Sequence, residues 1–225
     1  RIARGRLQAD RMDLQALSRI AQRLPLPEAW RTQLSALAPQ GLLEHLEGNW
    51  QGPPEAPAQV QLRGRVSALE LAAGGPTQPG VSGLSMDFSL QREGGKDKGE
   101  ARFALEGGWL EFPGQFQEPR LPLDKLSGEL RFSHQAKGTE VELRQVQFRS
   151  RDAQGSVQGS WKQTAGGPEL GSLDLSGELD RGDAARVWRY LPLGIAEPVR
   201  EYLRQALTQG ELQDLRFKVK GPVAG

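Results

Sequence analysis

Cysteine is absent from the 225 residues. That excludes disulfides, thiolate metal sites and a cysteine nucleophile. Histidine occurs only at positions 45 and 134, with no His-x-x-x-His or comparable metal spacing. His134 follows the apolar strand position Phe132 by two, which puts it on the inner side near a strand end as a solvated or hydrogen-bonded residue rather than a ligand. No apolar run approaches the ~18 residues that a membrane-crossing helix needs. A surplus of one charge is missing too: 29 basic residues face 28 acidic ones, for a net charge of +1. Phosphate recognition calls for a basic excess, so nucleic acid is not an expected partner.

Motifs of catalysis are also missing. There is no Gly-x-Ser-x-Gly elbow and no phosphate loop. Gly74-Gly75-Pro76 and Gly107-Gly108-Trp109 are glycine-rich, but neither opens a helix after a strand, so both read as turns. Asp10-Arg11-Met12-Asp13 and Asp180-Arg181-Gly182-Asp183 hold paired carboxylates, which helix capping explains without catalysis. The expectation is a non-enzymatic chain with no cofactor, no metal and no catalytic residue.

What is present is alternation. Hydrophobic residues make up 37% and charged residues 25%, with a mean hydropathy of −0.55. A chain of this length and composition buries a core and is not disordered. Most of it reads as strands of period two. Val60, Leu62 and Val66 alternate with polar residues, as do Leu84, Met86, Phe88 and Leu90, and then Ala101, Phe103 and Leu105. Leu126, Leu130 and Phe132 share a side with Gly128. Val157 and Trp161 flank Gly159. Leu173, Leu175 and Leu179 share a side with Gly177, and Leu215, Phe217 and Val219 close the series. Val141 and Leu143 are out of phase with Val146 and Phe148, which predicts a bulge near Arg144-Gln145. Gly94-Gly95-Lys96-Asp97, Ala136-Lys137-Gly138 and Gly166-Gly167-Pro168 are short connections with turn chemistry. Short connections imply antiparallel neighbours, hence a meander with one apolar and one solvated face.

Helical spacing appears at residues 13–23, 27–38, 183–190 and 196–208. Pro27 suits a first helical position and Asp183 a cap. These segments form an internal repeat. Leu24-Pro25-Leu26 matches Leu191-Pro192-Leu193, and Arg31-x-x-Leu34 matches Arg200-x-x-Leu203. Gln40-Gly41-x-Leu43-x-x-Leu46 matches Gln209-Gly210-x-Leu212-x-x-Leu215, and Gly52-Pro53 matches Gly221-Pro222. The offset is 169 residues except for the Leu-Pro-Leu match, where it is 167. Such spacing suggests modules stacked end to end, each continuing its neighbour's sheet. The expected organisation is 1–52 (strand, helical pair, strand), 53–180 (antiparallel meander) and 181–225 (helical pair and strand opening the next repeat). The ends, Arg1 and the linker-like Gly221-Pro222-Val223-Ala224-Gly225, are expected of a piece of a longer polypeptide.

Two readings of the apolar face stay open. One is a closed β-sandwich core. The other is a curved sheet whose face stays open to acyl chains, with Val60, Leu62, Leu84, Met86, Phe88, Leu90, Phe103, Leu105, Leu130, Phe132, Val157, Trp161, Leu173, Leu175, Phe217 and Val219 as the candidate lipid-facing residues. Under the first reading the chain is a structural spacer or protein-interaction module.

Asp183-Ala-Ala-Arg-Val-Trp-Arg-Tyr-Leu-Pro-Leu-Gly-Ile195, then Val199-Arg-Glu-Tyr-Leu-Arg-Gln-Ala-Leu-Thr-Gln-Gly210, resembles the YhdP-type members of the AsmA-like family. So do Ala9–Leu17, Leu24-Pro-Leu-Pro-Glu28, Leu110-Glu-Phe-Pro113, Phe116 and Pro119-x-Leu121-Pro-Leu123. The resemblance implies an interior periplasmic slice of a large envelope protein anchored in the inner membrane. It implies a long β-groove related to chorein-type bridge proteins, moving phospholipid to the outer membrane. Expected partners are phospholipid acyl chains, neighbouring repeats of the same chain, and inner- and outer-membrane proteins. No catalytic residue carries over, and the lipid-facing candidates rest on the alternation alone.

Overall fold

The computed structural model describes residues 4–23, 28–53, 57–75, 78–168 and 170–223. The strands are β1 (Arg4–Asp13), β2 (Gln40–Gln51), β3 (Gln59–Leu71), β4 (Gly80–Glu93), β5 (Lys96–Glu111), β6 (Arg120–Gln135), β7 (Gly138–Arg149), β8 (Ala153–Thr164), β9 (Ser172–Asp183) and β10 (Glu211–Pro222). Helices α1 (Leu14–Ala21) and α2 (Glu28–Leu37) lie between β1 and β2. A 3-10 helix (Ala184–Tyr190) and α3 (Glu197–Ala206) lie between β9 and β10. All ten strands form one sheet in chain order, and every neighbouring pair is antiparallel. The meander is therefore open, with β1 and β10 as free edges, and the closed-sandwich alternative is excluded.

Because the strands alternate in direction, their connections fall on two opposite lips. The hairpin lip carries tight turns such as Gly94-Gly95, where both residues have positive φ (57° and 73°), as a two-residue hairpin requires. The helix lip carries both helical insertions, the 112–119 loop and the 150–152 turn. The insertions start with the expected caps. Ala16 N donates to Asp13 Oδ1 at 2.7 Å, and Ala185 N donates to Asp183 Oδ1 at 3.0 Å, each satisfying an orphan amide of the first turn.

The segment expected as a helix at 183–190 is wound as a 3-10 helix. Arg189 and Tyr190 are held to Asp152, and Leu191 N bonds back to Trp188 O; a short, doubly tethered turn that ends at Pro192 keeps i→i+3 bonds. The first Leu-Pro-Leu match and Pro27 lie outside the described residues. For the rest, α2 and α3 occupy equivalent ranges at an offset of 169. Backbone strain repeats as well: His45 and Asp214 sit at φ 51° and 52°, and Gly41 and Gly210 at 122° and 115°.

A line of bulges creases the sheet. Positive φ occurs inside strands at His45, Ala68, Gly83, Gly107, Gln145 and Asp214, each a few residues from the helix lip. Register shifts accompany them in β2–β3, β3–β4, β4–β5 and β7–β8. The bulge expected near Arg144-Gln145 is present, between Leu143 and Val146. Gly107-Gly108-Trp109, expected as a turn, lies inside β5; Gly107 supplies the positive φ that its bulge needs. A bulge bends its strand and increases its twist, so bulges recurring at this level of β2 to β5 and of β7 bend the sheet locally along one line.

Candidate functional site

Strand pairing puts all the lipid-facing candidates on a single face. One continuous row runs Leu7, Gly48, Leu62, Leu90, Gly99, Phe132, Val141, Trp161, Leu173, from β1 to β9, each residue directly opposite the next. A second runs Gly64, Phe88, Ala101, Leu130, Leu143, Gly159, Leu175, Val219 through to β10. Met86 pairs with Phe103, Leu84 with Leu105, and Phe217 with Gly177, which also pairs with Val157. Val60 lies two residues from Leu62 on the same side.

Burial divides this face into two lanes. Along the crease, Val66, Leu69, Val81, Leu105, Leu126 and Val146 are buried, Leu105 to 1% exposure. Val81, Leu105, Leu126 and Val146 form one cluster with Leu84, Phe103, Phe148 and Val157 packed against it. Among the described residues no second sheet covers them; they pack against one another along the line of bulges as a hydrophobic corner. Nearer the hairpin lip the same face opens: Leu90, on an interior strand, is 39% exposed, and Leu62, Phe88, Phe132, Trp161 and Leu173 are half-buried.

The floor of the open lane is laid flat. Phe88 lies over Gly64, its Cζ 3.2 Å from where a Cβ would stand; the Leu90 side chain covers Gly99 and Leu175 covers Gly159. Glycines facing large side chains let those side chains lie along the sheet instead of standing up into the groove. Trp161 is fixed by an indole N–H bond to Leu170 O at 2.9 Å, so its ring is apolar surface with a satisfied donor.

The opposite face is a charge checkerboard. Arg11, Glu44, Arg65, Asp87, Arg102, Glu129 and Arg144 stand directly opposite one another across seven successive strands, with alternating sign. Within this face, Arg63 pairs with Glu47 at 2.7 Å, Arg65 with Asp87 at 3.1 Å, Arg102 with Glu129 at 3.0 Å and Arg131 with Glu100 at 3.6 Å. These residues wall a shallow depression of about 590 Å³. Each cation there is paired with a carboxylate of the neighbouring strand or diagonal. The ladder's work is register: slipping a strand by one residue would move its charges to the apolar face.

Two features escaped the sequence reading. The first is a clasp on the helix lip. Asp152, 5% exposed, accepts from Arg189 Nη1 at 2.7 Å and from the Tyr190 hydroxyl at 3.3 Å, while Arg189 Nε reaches Glu118 Oε2 at 2.8 Å and Leu193 N donates to Gln115 O. This ties the second helical insertion to two neighbouring loops. The second is a polar row at the hairpin lip. Arg92 and Asp97 form a two-point pair at 2.6 and 2.8 Å, and the hydrogen bond from the guanidinium holds the Asp97 carboxyl below the usual carboxylate range. His134 is placed as expected, on the inner side near its strand end, with Nδ1 2.8 Å from Thr139 Oγ1. Among the described residues no group of His, Asp and Glu could hold a metal ion, and no helix is long and apolar enough to cross a membrane.

Neither a curated protein nor a solved structure matches the chain. The family model described as YhdP protein matches residues 1–225. An open, creased meander with one apolar face is the architecture which the resemblance led one to expect, and the chain belongs to the YhdP family of non-enzymatic cell-envelope proteins.

Proposed function

We propose that the chain is a periplasmic stretch of a lipid conduit that holds phospholipid acyl chains in its open apolar lane and passes them between inner and outer membranes. The observation that carries this reading is the unbroken apolar row from β1 to β9, roofed by no second layer among the described residues. Each acyl CH₂ removed from water is worth about 0.8 kcal/mol, so a long chain leaves water only onto a continuous path. A lane of similar side chains lets it slide with little change in free energy. Burial at the crease adds a limit: Leu84 and Phe103 pack against the buried cluster and Leu105 lies within it, so these form the wall, and Phe88, Leu90, Phe132, Trp161 and Leu173 form the path. Neighbouring repeats of the same polypeptide continue the sheet at its free edges, and inner- and outer-membrane proteins meet the ends of the conduit.

The test is photo-crosslinking in the full-length protein in cells, with the probe at Phe88 or Leu90 and, on the charged face, at Asp87. Phospholipid adducts at the first two sites and none at Asp87 support the conduit. Protein adducts at Phe88 and Leu90 without lipid would replace it with a structural spacer.

A further inference from the structure

The polar row at the hairpin lip lies on the apolar face, not on the charged one. Arg92 is two residues beyond Leu90 on β4, and His134 two beyond Phe132 on β6, so each shares its neighbour's side. Strand pairing extends the row as Trp50, Val60, Arg92, Asp97, His134, Thr139, each directly opposite the next. It therefore runs parallel to the open lane, one side-chain spacing nearer the lip, about 7 Å away.

Its chemistry is two-signed and underused. Arg92 spends Nε and Nη2 on Asp97, and no described residue takes Nη1. His134 spends Nδ1 on Thr139, and Nε2 has no partner among the described residues. Asp97 stays ionised beside the guanidinium. On the outer face, charges are paired to set register. Here the same expense falls on the groove side of the lip, where an apolar strand end would serve packing better.

We propose that Arg92, Asp97 and His134 form a headgroup rail: the phosphate of a lipid in the lane is met by the Arg92 guanidinium and His134 Nε2, and an ammonium group by Asp97. The matching ligand is a zwitterionic phospholipid whose acyl chain lies along Leu62, Leu90 and Phe132. This rests on the conduit reading and adds to it: the lane recognises grease, the rail recognises the headgroup.

The full-length protein with a photo-probe at Leu90 is exposed to vesicles holding phosphatidylethanolamine and diacylglycerol of the same acyl chains in equal amounts, and both adducts are counted by mass spectrometry. The rail predicts a phospholipid excess of about tenfold, the worth of one charge-assisted hydrogen bond. The triple variant Arg92→Gln, Asp97→Asn, His134→Gln brings the ratio near one through loss of phospholipid adduct, while diacylglycerol is still captured at Leu90. Arg131→Gln with Glu100→Gln on the outer face leaves the wild-type ratio in place. A ratio near one in the wild type, or an excess that survives the triple variant, overturns the rail while leaving the conduit standing. No lipid adduct of either kind at Leu90 in the wild type removes the conduit, and the rail with it.

Discussion

Gly128 stands opposite Phe103 on the neighbouring strand, and a Cβ at position 128 would lie 2.9 Å from the ring's Cζ and 2.8 Å from Val146 Cγ2. The Val146 Cα is only 3.0 Å away, so the backbone of the bulged strand blocks that space as well as the ring. The packed corner depends on glycine there.

Gly128→Ala is expected to cost about 1–3 kcal/mol, the usual penalty of overpacking, measured by chemical denaturation. Adding Phe103→Leu recovers part of the loss. Gly64→Ala meets the edge of the half-buried Phe88 ring at 3.2 Å and Glu44 O at an ordinary contact distance of 3.4 Å, and costs about 1 kcal/mol or less. Equal losses at both glycines would refute the division into a packed corner and an open lane.

The same division sets the cost of truncation. Leu105→Ala, at 1% exposure, is expected to lose about 2–5 kcal/mol. Leu90→Ala, on the next strand but open to solvent, loses about 1 kcal/mol. Denaturant midpoints of the two variants decide it.

Asp152→Ala removes the acceptor shared by Arg189 and Tyr190. A loss of about 1.5–3 kcal/mol is expected from that buried, charge-assisted bond. Hydrogen exchange should rise through the 3-10 helix and α3 while α1 is unchanged. A uniform rise over the whole sheet would show that the clasp holds more than the insertion.

Arg65→Glu puts a third carboxylate between Glu44 and Asp87, which stand directly opposite on either side. Destabilisation of about 1 kcal/mol is expected, shrinking in 0.5 M salt as the exposed charges are screened. A salt-independent loss would point to packing rather than charge.

Asp97 titrates below the ordinary carboxylate value because Arg92 hydrogen-bonds its ionised form. A depressed folded value means that the pair stabilises the fold above the unfolded value, near 3.9. That contribution fades as the pH falls through the folded value. In Arg92→Gln the Asp97 carboxyl should titrate at higher pH, read by NMR of the side-chain carbon. An unchanged midpoint would show that Arg92 does not hold it.

Much of this was legible from residue spacing. Period two placed Val60 through Val219 on one side because a strand has no other way to arrange them, and Asp13 and Asp183 announced their helices by capping chemistry. The crease was also written there but read at one point only. The phase slip between Leu143 and Val146 has counterparts between Val66 and Leu69, and between Val81 and Leu84, at the bulges marked by Ala68 and Gly83. Sequence could not give the clasp, since Asp152, Arg189 and Glu118 come from three separate connections that only the strand order brings to one lip. Nor could it give the polar row, because Arg92 reads as the polar end of a strand until pairing aligns it with Asp97 and His134.

The repeat between β1–β2 and β9–β10 spans eight strands, an even number. Inserting or deleting one such unit returns the backbone to the same lip, heading the same way, with its greasy side unchanged. Each addition lengthens the sheet by about 38 Å, at 4.7–4.9 Å per strand. The fold is thus a ruler with fixed graduations: the width of such a sheet is set by how many units the chain contains.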